Sequence, residues 1–291
     1  MGMSIRNNPR VYAAAGASII AAAVATRYVA KWRKRRYMRR GEGIRDLGGG
    51  QVFIGLDLTD PYASSSRPCD YAILDTDLNC NFGLWDYNVD GASIIPQPAL
   101  GRSFILAIDG PQGLAGEPDA NVRISEKLVN APGRTPYFLK LEGKPYQGLI
   151  QGSVNLFHKL VTSGSRFRLL GLDGVPVSDT TLIEVYPGGA WKILSKGNLP
   201  AKRTVSGRYS RAELLTQLGV KFASSDLPTN DQLDATLAAW VAYKFWIGES
   251  SIEGTAPEMD ELNSIIREGY IVMPTLSSGE IHNDIEEVAP V

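Results

Sequence analysis

The sequence predicts a mixed α/β domain, a five-stranded mixed sheet flanked by helices, with an N-terminal helical extension in front of it. Three observations point there. Short β-rich runs end in turn residues, helix-period segments lie between and after those runs, and the composition changes abruptly after a glycine-rich stretch, "GEGIRDLGGG". With 291 residues, 44% apolar and 21% charged, the chain can bury a full core and is not of disordered composition.

The head comes first in the chain. Residues 1–41 hold ten Lys or Arg and no acid, which leaves 20 basic and 31 acidic residues beyond them, a net charge of −11 for the body. The run from Val11 to Thr26 is uncharged and resumes as "YVA" after Arg27, so residues 10–31 are expected to form one helix lying outside the globular core. If Arg27 snorkels, about 20 residues suffice to span a bilayer, although half of the uncharged run is alanine. "KWRKRRYMRR" follows with seven basic residues, and the positive-inside rule then leaves the globular part in the cytoplasm. A basic block beside an apolar helix suits anionic lipid. Two alternatives stay open, a presequence directing the chain to a mitochondrion or plastid, and a soluble basic arm. A secretory signal fits poorly, because its basic residues precede the apolar run. Residues 1–50 are therefore read as helix and linker, 51–275 as the globular domain, and 276–291 as a polar tail.

Within the body, "QVFIGLDL" (51–58) is a first strand ended by "TDPY", and "CDYAILDTD" with "NCNFGLWDY" reads as a meander behind it. "SFILAIDGPQG" (103–113) has no polar alternation, as expected of a strand buried on both faces. "DANVRISEKLV" (119–129) is expected to be helical, and "TTLIEVYPGG" (180–189) to be a fifth strand closed by a Pro-Gly turn. "SRAELLTQLGV" (210–220) opens like a capping box, and "DQLDATLAAWVAY" (231–243) is a helix whose Leu233, Leu237, Trp240 and Val241 should face the core. Cys69 and Cys80, with His158 and His282, lack any Cys-x-x-Cys or His-x-x-x-His spacing, which argues against a zinc site and for free buried thiols.

The acids fall on these elements in a pattern. Asp57 lies in the first strand, Asp109 at the end of the fourth, Glu184 in the fifth, and Asp231 with Asp234 at the start of the long helix. A carboxylate in an apolar strand is costly unless it is paired or holds a metal. Any one alone could bond a backbone amide or an Arg. Together they resemble hard oxygen ligands for Mg²⁺ or Mn²⁺, and positions i and i+3 let Asp231 and Asp234 share a helix face. Such a site requires the carboxylates to lie within roughly 5–6 Å of one another.

"GLDLTD", "LAIDGPQGL", "LIEVYPGGAW", "DQLDATLAAW" and "EGYIVMP" together resemble the successive signatures of domain-of-unknown-function family 429, described as predicted RNase H-like nucleases. The acid order is also similar to that of RuvC-type resolvases. The resemblance covers roughly residues 51–275 and implies an RNase H-like fold and hydrolysis of phosphodiester bonds with two metal ions. On that reading Asp57 bridges the ions, Asp109 and Asp234 each hold one, Asp231 completes the shell, and Glu184 is an outer ligand or positions the water. Asp119 and Arg123 fit an Asp-x-x-x-Arg pattern of the family, with Pro118 where a Cys often stands. Arg123 and Lys192 are the candidates for contact with substrate phosphate, and nucleic acid is the implied partner. The rival readings are a sugar kinase-like phosphotransferase, for which the body is too short to supply two domains, a hydrolase of a small phosphorylated substrate, and a non-catalytic assembly subunit attached to a membrane. The acidic body suits the last, since nucleic-acid binders usually present a basic face.

Overall fold

The computed structural model describes residues 50–87, 99, 102–138, 146–162, 167–172 and 180–275, all within the compact unit Gly43–Val291. The expected helix over 10–31, and with it the membrane, targeting and basic-arm readings, lies outside the described residues, as do the tail 276–291 and His282. Among the described residues no helix is long and apolar enough to cross a membrane.

In chain order the elements are β1 (Val52–Asp57), β2 (Cys69–Asp75), β3 (Asn79–Trp85), β4 (Phe104–Asp109), α1 (Ile124–Leu128), α2 (Gln147–Thr162), β5 (Arg168–Leu169), β6 (Thr180–Val185), α3 (Pro187–Leu194), α4 (Val205–Gln217), β7 (Lys221–Phe222), α5 (Asn230–Trp246), β8 (Ser250–Asp260) and β9 (Ile265–Pro274). They build an α/β structure on one mixed sheet of order β7-β3-β2-β1-β4-β6-β9-β8, with β5 pairing β6. The meander β1-β2-β3 is antiparallel, whereas β4, β6 and β9 continue from β1 in parallel.

Among the described residues nine strands stand where five were expected. Two of the extra four, β5 and β7, have only two residues each, too short to leave a periodic signal. The other two form the hairpin β8–β9, which follows the long helix and returns the chain to the sheet beside β6. β8 pairs with β9 alone, so one edge is unshared within the sheet. Its sequence "SSIEGTAPEMD" accordingly carries Pro257 inside the register shift between Thr255 and Glu258, the place where an edge strand tolerates a missing N–H.

Three helix boundaries also differ from expectation, each for a local reason. Pro187 is not in a turn that ends the fifth strand but at the first position of α3, where its missing N–H is needed by nothing. α4 begins at Val205 rather than near Ser210, with Thr204 Oγ1 accepting from the Gly207 amide. The helix of the 119–129 segment is short, Ile124–Leu128.

The sheet is covered on both sides. On one face Phe53, Ile105, Ala107, Ile183 and Val185 pack against Leu233, Leu237, Trp240 and Val241 of α5 and against Trp191 and Leu194 of α3. On the other face Val52, Ile54, Leu56, Phe104, Leu106, Ile108 and Leu182 meet Leu156, Phe157 and Leu160 of α2. β1 and β4 are thus buried on both sides, the reason their sequences lack alternation. Cys69 and Cys80 are both buried and free.

α5 starts at a capping box, in which Thr229 Oγ1 accepts from the Gln232 amide and Gln232 Oε1 from the Thr229 amide. Its alanines 235, 238, 239 and 242 are fully buried, and they allow the helix axis to approach the sheet. The closest approach is at Gly55 of β1. A Cβ there would stand 1.9 Å from Ala235 O and 2.4 Å from Ala239 N, both backbone atoms that no rotamer change can move. Gly55→Ala is therefore expected to push α5 off the sheet at a cost of roughly 3 kcal/mol or more. A chemical-denaturation midpoint within error of wild type would show that the helix has room to spare.

Candidate metal centre

Strand pairing sets the first two carboxylates side by side. β1 and β4 are parallel and in register, with Asp57 opposite Asp109 at the last position of each. Both residues are in phase with the side chains that face α5, Phe53 on β1 and Ile105 with Ala107 on β4. The helix supplies the third. Asp234 lies in the first two turns of α5, and the contact at Gly55 holds that end of the helix over the ends of the strands. Asp57, Asp109 and Asp234 each present one carboxylate oxygen such that the three lie within 4.8 Å of one another. These hard oxygen donors suit Mg²⁺ or Mn²⁺ by their chemistry and their spacing.

Two groups outside the expected set hold Asp234. The indole Nε1 of Trp191 donates to Oδ1 at 2.7 Å, which fixes the carboxylate plane, and the ammonium of Lys202 pairs with Oδ2. Lys202 is the one cation in contact with the cluster among the described residues. It comes from the loop before α4, where no periodic pattern could announce it. Burial works against its charge and Asp234 outweighs burial, so its pKa lies above the ordinary value. The Trp191 contact was equally hidden, since a tryptophan in an apolar helix reads as core.

Asp231 takes a different place. One turn earlier on α5 it is a quarter exposed and pairs with Arg67 at 2.5 Å, so it adds negative potential at Asp57 without joining the three. The i, i+3 spacing puts both acids on one side of the helix, yet the earlier one already points past the end of the sheet.

Glu184 faces away from the cluster. In the β4–β6 ladder Asp109 pairs with Val185, and Glu184 pairs with Ile108, so the pleat directs it to the opposite face. There it meets Arg123, whose guanidinium is 0% exposed. Arg123 Nη1 donates to Glu184 Oε2 at 2.8 Å and Nη2 to Oε1 at 2.5 Å, while Nε and Nη2 reach Glu126 Oε1 at 3.3 and 3.2 Å. The Gln112 amide donates to Glu184 at 2.9 Å, and the Thr135 amide to Glu126 at 2.9 Å. Burial works against the Arg123 charge, but Glu184 and Glu126 hold its pKa above the ordinary value. This guanidinium is committed inside the protein, tying the segment after β4 to β6, and is closed to a phosphate. Lys192, the other residue expected at a phosphate, is exposed on α3 and borders a cavity that reaches Asp234.

The electrostatics of the cluster follow from its crowding. Burial raises the pKa of Asp57 well above the carboxylate range, and Asp109, Asp234 and Asp231 raise it further. Burial, then Asp234, pushes Asp109 from 3.8 up to about 8. The apo site therefore retains protons at neutral pH that a cation would displace.

A family model described as a protein of unknown function, DUF429, matches residues 146–258. The match runs from α2 to β8 and includes Asp234, Trp191 and Lys202, while Asp57 and Asp109 precede it. No curated protein and no solved structure matches the chain.

Two expected outcomes follow from these geometries. A carboxyl whose folded-state pKa is raised binds protons more tightly in the folded state, so its contribution to stability falls as pH rises from the ordinary value to the raised one. With metal chelated, the melting temperature of the wild type should decline relative to Asp109→Asn between pH 3.8 and about 8, and parallel pH profiles would argue against burial and crowding of this carboxyl. Replacing Arg123 by Leu strands two buried glutamates and should cost roughly 3–5 kcal/mol by denaturant titration. Unchanged stability with weakened substrate binding would instead assign Arg123 to the ligand.

Proposed function

We propose that the domain is a metal-dependent phosphodiesterase acting on nucleic acid, with an RNase H-like fold and Asp57, Asp109 and Asp234 as the ligands of Mg²⁺ or Mn²⁺. The observation that carries the reading is the convergence of three carboxylates from three separate elements within 4.8 Å. Folding gains nothing from like charges held this close, whereas a divalent cation turns their repulsion into binding energy. The run β3-β2-β1-β4-β6, an antiparallel meander followed by two parallel strands, supports the RNase H-like assignment, with β9 and β8 as additions at the edge.

The residues of the chain have separate tasks on this reading. Asp57 is the acid on which burial, Asp109, Asp234 and Asp231 all act, and with Asp109 and Asp234 it would hold the cation. Trp191 orients Asp234, and Lys202 offsets its charge until a cation takes that role. The Arg67–Asp231 pair borders the same end of the sheet and gives the substrate a positive group beside the acids. Bound Mg²⁺ or Mn²⁺ would supply charge neutralisation at the reacting phosphate and a more acidic water. Arg123 and Glu184 keep the architecture and take no part in the chemistry.

The net charge of −11 beyond residue 41 favours the second reading, a non-catalytic assembly subunit. One experiment separates the two. Purified protein should gain thermal stability with Mn²⁺ and cleave single-stranded, duplex or branched nucleic acid. Asp57→Asn, equal in volume, should lose the Mn²⁺ shift and reduce cleavage roughly 100-fold or more. Absence of both effects in the wild type, with Asp57→Asn indistinguishable from it, would establish the scaffold.

A further inference from the structure

A cavity of about 310 Å³ opens beside the acid cluster, between α3, the loop that carries Lys202, and α4. Three cationic side chains line it, Lys192, Lys202 and Arg211, against one carboxylate, Asp234. That sign is opposite to the rest of the body, and Asp234 is already engaged by Trp191 and Lys202. A surplus of positive charge therefore faces this cavity.

Arg211 gives the strongest indication. It is 8% exposed, and among the described residues no carboxylate forms an ion pair with it. Nη1 donates to the carbonyls of Pro200 and Gly207 at 3.0 and 2.9 Å, and the group lies 5.6 Å from the centre of the Trp191 ring. Its Nε is buried without a hydrogen-bond partner. A guanidinium held in place by two carbonyls, with a donor left over and only the already engaged Asp234 acting on it from across the cavity, is suited to a further anion. Contrast Arg123, more deeply buried, whose charge two glutamates balance. Lys192 stands on the last turn of α3 at the exposed side of the same cavity, and Lys202 joins the cavity to the acids.

We propose that this cavity is a phosphate-binding subsite, in which Lys192, Lys202 and Arg211 hold a non-reacting phosphate group of the substrate next to the cluster of Asp57, Asp109 and Asp234. The assignment of that phosphate to a substrate rests on the phosphodiesterase reading above; the affinity of the cavity for phosphate does not. The part of the Arg211 guanidinium that the two carbonyls leave free suits a phosphate oxygen, and the two ammonium groups add charge without fixing direction. A cation pocket at this one place also explains how an acidic body could accept a polyanion, by gripping a single phosphate rather than presenting a basic surface.

The test is titration calorimetry of the full chain with inorganic phosphate at constant ionic strength, without divalent metal. Wild type should bind, and Lys192→Gln, at an exposed position, should bind roughly 10-fold more weakly, with a larger loss for Arg211→Gln. If Arg211→Gln does not fold, Lys192→Glu, which reverses a surface charge, carries the same comparison. Displacement of phosphate by a ten-nucleotide single strand but not by a mononucleotide would identify the source as a nucleic-acid backbone, and the converse a small phosphate ester. Phosphate binding retained in Asp57→Asn, alongside a wild type that shows no Mn²⁺ shift, would leave the subsite standing and remove the metal reading. A Mn²⁺ shift in the wild type with no phosphate binding, or with binding indifferent to Lys192 and Arg211, would overturn the subsite.

Discussion

The contact between Gly55 and the backbone of α5 is the constraint on which the site depends. Pairing of β1 with β4 aligns two carboxylates, but both belong to one sheet and would face open space or core without the helix. Only a residue without a Cβ lets α5 settle so close, and only then does the beginning of that helix bring Asp234 over the strand ends. The alanines on the buried side of α5 serve the same approach from the other direction. Packing and electrostatics therefore oppose each other here, since tight helix-to-sheet packing is what forces three like charges together.

The two faces of the sheet handle buried charge in different ways. Beneath β4 and β6, Arg123 is saturated by Glu184 and Glu126, with the backbone amides of Gln112 and Thr135 completing the set. That arrangement is closed, balanced and structural. Above, Asp57, Asp109 and Asp234 have one ammonium among them, and burial, with the surplus of negative charge adding to it, raises the pKa of Asp57 and Asp109. The balanced network fixes the chain where it leaves β4, and so keeps Asp109 in place. The unbalanced one is left to find its counter-charge in a ligand.

A single residue step separates these outcomes. Val185 and Glu184 are neighbours on β6, yet the pleat sends one toward α5 and the other toward Arg123. On the helix Asp231 and Asp234 share a side, and there the rise of one turn leaves the first acid at Arg67 and the second in the cluster. Cation placement follows no such rule. Lys202 and Lys192 come from a loop and a helix end, and Arg211 from the middle of α4, and they converge only because α3 and α4 pack beside the start of α5.

By itself the sequence determined the strands that are apolar on both faces, the long helix with its core positions at Leu233, Leu237, Trp240 and Val241, and the elements that carry the acids. These are local properties, written in periodicity and in the cost of placing a carboxylate among apolar neighbours. Strand β8 was not legible, because an edge strand buries too little to need an apolar pattern, whereas the apolar run of β9 stood in the sequence with nothing local to say which strand it would join. Which of five acids would meet was decided by tertiary structure alone. Register, pleat phase and helix approach are relations between segments distant in the chain, and no spacing within one segment encodes them. The same holds for Trp191, Lys202 and Arg211, whose roles come from the neighbours that folding gives them.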